Sequence, residues 1–208
     1  TGRSESFELT RDSLLGMVRG PLYAPLLAGA LPAAIGQAAR GRFEPLAALA
    51  LSFGNQRGVR IAEGMHFAVV CAEDFPRVGR AKDSPGADFG GAFASLYAHT
   101  CARLARAGVP EAFYSVPPAP AATLLLSGGI DPVTPPRHGE RVALALGAKA
   151  RHVVVANAGH GVMGLGCMRD VLYRFVDAAG DDEALQVDAS CVASIPSPPM
   201  FAPMFAAQ

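Results

Sequence analysis

Two patterns of apolar spacing divide the chain. Up to about residue 120 the apolar positions fall in short blocks of helical spacing, broken repeatedly by Gly and Pro. Thr10 stands ahead of RDSLLGMVR as a cap, which predicts a helix over roughly 11–19 ended by Gly20-Pro21. Pro32 and Pro45 suit the first turns of two further helices, where a missing N–H costs no hydrogen bond. LYAPLLAGALPAAI (22–35) is the longest apolar stretch and reads as buried helix. MHFAVVC (65–71) has the β-branched and aromatic character of an extended segment. PRVGRAKDSPGADFGG (76–91) reads as an exposed loop, and the Ala-rich GAFASLYAHTCARLARAG (91–108) as helix.

After VPPAPAA (116–122) the pattern changes. TLLLSG (123–128) is a continuous apolar run, as expected of a strand covered on both faces. Pro135 and Pro136 open a helix to about Leu146, stopped by Gly147. HVVVA (152–156) is a second strand, and a helix follows in MRDVLYRFVDAAG (168–180). Val171, Leu172, Phe175 and Val176 are its predicted apolar face, and Gly180 its end. The prediction is an α/β chain: residues 1–120 helical, residues 121–208 strand–helix–strand–helix. A helix joins the strands, so they should be parallel. The Pro-rich tail SIPSPPMFAPMFAAQ has no assigned place.

Half of the 208 residues are apolar and 17% are charged, with 18 basic against 18 acidic side chains. Such a chain is globular, and no basic stripe points to nucleic acid or an anionic membrane. The longest apolar run is too short, and too interrupted by Pro25 and Pro32, to span a bilayer. TGRSESFELT shows no signal peptide, so either processing removed one or the chain is a fragment. Cys71, Cys101, Cys167 and Cys191 form no CxxC pair and allow three pairings. The local ones, Cys71–Cys101 and Cys167–Cys191, would close loops worth about 3.5 kcal/mol each. Disulfides would imply a secreted or periplasmic protein; buried free thiols would imply a cytosolic one.

Asp131 follows the first strand directly, and His160 follows the second in NAGHGVMG. In parallel α/β sheets, catalytic groups collect beyond the carboxyl ends of strands. An aspartate there can accept one imidazole N–H, fix the tautomer and leave the other nitrogen as a general base. Alone, Asp131 reads as a turn or helix cap and His160 as a loop residue. Together, in this order, they match the last part of an α/β-hydrolase, whose chain order is nucleophile, acid, base.

SGGIDPVTPPRHGERVALAL, VVVANAGHGVMGLGC and DASC (188–191) resemble the C-terminal region of the tripeptidyl-aminopeptidase-like (TAP-like) α/β-hydrolases, akin to secreted serine exopeptidases. GPLYAPLLAGALPAAIGQAARGRFEPL (20–46) and VVCAEDFP (69–76) resemble the later part of that family's helical cap. The resemblance implies a cap segment over 1–120 and a C-terminal hydrolase segment over 121–208. It also implies a Ser–Asp–His triad with Asp131 as acid and His160 as base, and no metal or organic cofactor. In relatives, acidic cap residues hold a substrate amine, which gives Glu73 and Asp74 that role; their plain alternative is a solvated acidic turn.

The chain departs from the family in lacking the nucleophile elbow. Ser13, Ser52, Ser84, Ser95, Ser115 and Ser127 all precede or neighbour Asp131, and none stands in GxSxG. The expectation is a fragment that begins inside the cap, inactive alone and prone to self-association or to contact with a missing N-terminal half. Peptides or small esters are the expected substrates. A non-catalytic binding or assembly module and an esterase of the same fold are the alternatives. His66, His99, His138 and His152 show no partner pattern, and Arg137 reads as a solvated helix start.

Overall fold

The computed structural model describes residues 8–54, 61–80, 91–104 and 107–201. The elements in chain order are α1 (Arg11–Arg19), α2 (Pro25–Ala28), α3 (Leu31–Ala38), α4 (Glu44–Gly54), α5 (Glu63–Glu73), α6 (Ala92–Cys101), β1 (Thr123–Gly128), α7 (Pro136–Leu146), β2 (Ala150–Val155), α8 (Met168–Val176) and α9 (Asp181–Leu185). The chain divides into two compact units, Thr1–Arg19 with Gly54–Ser115, and Gly20–Phe53 with Val116–Gln208. This division does not coincide with a split at residue 120, because Gly20–Phe53 folds with the strands.

In the first unit, α1 starts where Thr10 predicts. The Thr10 hydroxyl oxygen accepts the Ser13 N–H at 3.1 Å, and the Ser13 hydroxyl oxygen accepts the Thr10 N–H at 2.9 Å. These two bonds satisfy donors that a helix start leaves unpaired. Helices α5 and α6 are joined by the Cys71–Cys101 disulfide, with both cysteines fully buried and Cα atoms 5.1 Å apart. One turn away, His66 Nε2 is hydrogen-bonded to the Tyr97 hydroxyl at 2.9 Å.

The segment 65–71 is therefore helix and not extended. Val and Phe disfavour a helix by only a few tenths of a kcal/mol each, less than packing supplies. Glu63 and Gly64 before the segment and Ala72 and Glu73 after it extend the helical run on both sides, and α6 covers one face through Tyr97 and Cys101. In the predicted loop 76–91, Phe75–Arg80 forms a 3-10 turn, and residues 81–90 lie outside the described residues. The predicted helix 91–108 is shorter, ending at Cys101.

In the second unit, β1 and β2 pair in parallel, Thr123 opposite Ala150 through Gly128 opposite Val155. Helix α7 connects them and stops at Gly147, as the sequence predicts. The core gathers Val153 and Val155 from β2, Met168 and Val171 from α8, and Ala158, Val162, Val187 and Ala189 from loops, with Leu124 and Leu126 of β1 against it. Burial at the end of β1 rises to Ser127 and Gly128. The start of the sheet is held by Asp181, which accepts the Ala122 N–H at 3.0 Å and pairs with Lys149 at 2.7 Å.

Two expectations for this unit need correction. Val176 is 79% exposed and is not on the buried face of α8. At about 100° per residue it lies roughly 140° round from Val171, outside the apolar stripe. Helix α8 ends at Val176, and Gly180 precedes α9. The apolar run 22–35 is not one buried helix. Pro25 and Pro32 start separate helices, α2 and α3, after a 3-10 turn over Gly20–Tyr23, and Leu26 and Ile35 face solvent. The tail crosses this region: the Phe201 N–H donates to the Gly29 carbonyl at 3.0 Å.

Candidate active site

Beyond Gly128 the chain turns through Gly129 and Ile130 and delivers Asp131 to the edge of the sheet. The two strand-end loops are tied together. The Gly129 N–H donates to the Val155 carbonyl at 2.8 Å, and the Ile130 N–H donates to the Ala158 carbonyl at 3.0 Å. Asp131 is 7% exposed. One carboxylate oxygen accepts the Val133 N–H at 2.8 Å and the Thr134 N–H at 3.0 Å. The other accepts the Thr134 hydroxyl at 2.9 Å and the His160 Nδ1–H at 3.0 Å.

Burial alone pushes the Asp131 carboxyl up, because it penalises the charged form. The donors oppose this: the Thr134 N–H, the Val133 N–H, the Thr134 hydroxyl and His160 together hold it below the ordinary carboxylate value. Asp131 is thus a carboxylate whose acceptor sites are nearly all filled, aimed by a local turn. Thr134 was not recognised from sequence. Its signal is present in DPVT, because an aspartate commonly accepts backbone N–H groups two and three residues on.

His160 lies in the loop after β2. Its N–H donates to the Tyr23 carbonyl at 3.2 Å, and the imidazole meets the Tyr23 ring edge to face, centroids 5.5 Å apart. Both flanking glycines are required. A Cβ on Gly159 would come within 2.9 Å of the Pro25 ring, and Gly161 sits at φ +93°, where a side chain is strained. The imidazole is 44% exposed, and no described residue bonds its Nε2. Because the Asp131 carboxylate only accepts, Nδ1 carries the proton and Nε2 is the basic nitrogen of the neutral ring. The arrangement can remove a proton from a group placed at Nε2 and stabilise the resulting imidazolium. Tyr23 has no sequence signal for this contact, because the grip is made by its main-chain carbonyl 137 residues before His160.

The other candidates are placed as follows. Glu73 ends α5 and Asp74 is its C-cap residue, in the first unit. The Glu73 carbonyl accepts the Tyr114 hydroxyl at 2.7 Å, and neither carboxylate has a partner among the described residues. Ser127 is buried within β1 and hydrogen-bonded to His152 Nε2 at 2.9 Å, which occupies both side chains inside the unit. His138 is paired with Arg141, and His99 with the Ser95 carbonyl. Arg137 lies exposed in the first turn of α7. Ser84 lies outside the described residues. Among the described residues no three His, Cys, Asp or Glu side chains gather as a metal site. Both local cysteine pairs are disulfides, Cys71–Cys101 and Cys167–Cys191. No helix of the described residues is long and apolar enough to cross a membrane.

Asp131 and His160 thus meet beyond the carboxyl ends of adjacent parallel strands, the edge at which ligands collect in such sheets. Residues 86–191, just over half of the chain, match the family described as TAP-like protein. The chain belongs to this family of α/β-hydrolases. No curated protein and no solved structure matches it.

Proposed function

We propose that the chain is the C-terminal part of a secreted serine hydrolase that releases residues or short peptides from peptide N-termini. The observation that carries this reading is the Asp131–His160 pair: a buried carboxylate held by several donors orients an imidazole whose second nitrogen has no partner among the described residues. His160 takes the proton of an attacking serine hydroxyl, and Asp131 stabilises the imidazolium. The acyl-enzyme then forms and is hydrolysed by water with the same base. The serine comes from outside these residues, because none of the chain's serines stands in an elbow and Ser127 is committed to His152. The chain alone is therefore inactive. Export is supported by the two disulfides, which persist in oxidising compartments.

Glu73 and Asp74 anchor the substrate amine. They stand at the carboxyl end of α5, where the helix dipole adds negative potential to two carboxylates that have no partner among the described residues. In the serine-bearing protein, Glu73→Gln and Asp74→Asn should raise KM for free-amine peptides about tenfold or more, one lost charge contact. N-blocked esters should be unaffected. Equal effects on both substrates would remove the amine anchor.

The hydrolase reading is tested by fluorophosphonate labelling. The serine-bearing protein should be labelled stoichiometrically, and His160→Ala should abolish labelling. Labelling that survives His160→Ala would overturn the reading.

A further inference from the structure

The two disulfides occupy different surroundings. Cys71 and Cys101 have no exposed surface, whereas Cys167 and Cys191 are half-buried and form part of the wall of a cavity of about 660 Å³. That cavity opens to solvent between the tail and the loop after β2, so a small reductant can reach one disulfide and not the other.

The accessible disulfide also closes a frame around His160. The loop 157–167 follows the end of β2 at Val155 and leads into α8 through its N-cap residue Cys167. Both of its ends are fastened to one segment, Ser190–Ser197. At the first end, the Asn157 side-chain amide donates from Nδ2 to the Ile195 carbonyl at 2.9 Å, and the Ser197 hydroxyl donates to Asn157 Oδ1 at 3.1 Å. At the second end, Cys167 is bonded to Cys191, with Cα atoms 6.5 Å apart. Among the described residues, His160 itself is held from the other side only by Asp131 and Tyr23.

We infer that Cys167–Cys191 is a reducible clasp on the His160 loop, opened by small dithiols while Cys71–Cys101 stays closed. One thiolate of the dithiol attacks a sulfur of Cys167–Cys191, and the other cysteine leaves as a thiolate. The dithiol's second thiolate then displaces the first cysteine. The dithiol ends as a disulfide, and Cys167 and Cys191 end as two thiols. With the clasp open, the loop keeps its fastenings at Asn157, Ala158 and His160 but loses the one at Cys167, so the stretch between His160 and Cys167 gains freedom. Reduction would thereby loosen the loop that carries the base without touching base or acid. That catalytic consequence rests on reading His160 as the base. The order of reduction and the motion of the loop do not, so each can fail without the other.

The test uses the 208-residue chain, treated with increasing dithiothreitol at pH about 8, where thiolates form. Free thiols are alkylated and assigned by mass spectrometry, and amide hydrogen exchange is followed in parallel. The expected result is alkylation of Cys167 and Cys191 at reductant concentrations at least tenfold below those that expose Cys71 and Cys101, a difference set by access to the thiolate. Exchange should then accelerate about tenfold or more in 161–166, with Val153–Val155 unchanged, as local opening requires. A Cys167→Ser, Cys191→Ser double variant should reproduce the faster loop exchange without reductant; if it fails to fold, the titration of the natural chain decides. Simultaneous opening of both disulfides would overturn the inference. So would unchanged exchange in the loop, or collapse of the whole second unit on reduction.

Discussion

The strands β1 and β2 carry two histidine pairs of nearly equal length and opposite character. Ser127 and His152 meet at 2.9 Å within the strands, and Asp131 and His160 at 3.0 Å just beyond them. The first pair is closed over by α7: a Cβ on Gly139 would come within 2.6 Å of His152 Nε2 and 2.7 Å of the Ser127 oxygen. His152 Nε2 is engaged by Ser127 under the cover of α7. In the second pair the roles are separated, one nitrogen held by a buried carboxylate and the other left toward solvent. A short Ser–His contact is therefore no sign of catalysis by itself; what distinguishes the pairs is which nitrogen is used and whether a substrate could reach the other.

On the proposed reading, the comparison can be broken most severely in a protein that carries the nucleophilic serine together with this chain. There His160→Ala should lower kcat/KM by about 10³-fold or more, the usual cost of losing a triad base. His152→Ala should change the rate by only a few fold at a temperature where the protein stays folded. Comparable losses from both, measured by steady-state kinetics, would erase the distinction.

The next effect is on stability. Asp131→Ala leaves two part-buried N–H groups, a hydroxyl and His160 without their acceptor, and should destabilise the second unit by about 2–4 kcal/mol. Ser127→Ala removes one neutral hydrogen bond and should cost about 1 kcal/mol. Urea denaturation of the two variants measures both. Gly139→Ala should fall between them, at about 1–3 kcal/mol, because it forces His152 and Ser127 apart.

The smallest effect is in acid. Asp131 is held below the ordinary carboxylate value in the folded chain, so the unfolded chain binds its proton more tightly. The stability it contributes is whole above the unfolded value, near pH 4, and is lost as pH falls through the lower folded value. Asp131→Asn should flatten that limb of the stability–pH curve, whereas Ser127→Ala should leave its shape unchanged.

How much of this was legible in the sequence follows the range of the interactions. The strand β1 spans the apolar run bounded by Thr123 and Gly128, and α7 runs from the proline pair to Gly147, because these signals are local. Asp131 and His160 were legible as a pair because strand-end loops of parallel neighbours meet at one edge. The helix over 65–71 was not, because α6 decides it from thirty positions away through Tyr97 and Cys101. The Tyr23 carbonyl was not either, since a main-chain partner distant in sequence leaves no residue signature, nor was the fastening of Asn157 by the Ile195 carbonyl and the Ser197 hydroxyl, 38 and 40 positions away. The exposed side of Val176 was a matter of helical phase, one position beyond the stripe.

The central claim is that Asp131 fixes the His160 tautomer and leaves Nε2 free. Imidazole nitrogen–proton correlation spectra of the 208-residue chain measure this directly, with the neutral ring observed above its titration. The account predicts a proton on Nδ1 of His160, a bare Nε2, and a downfield Nδ1 proton that vanishes in Asp131→Ala. A His160 ring protonated on Nε2, or averaging between tautomers as a free imidazole does, would contradict it.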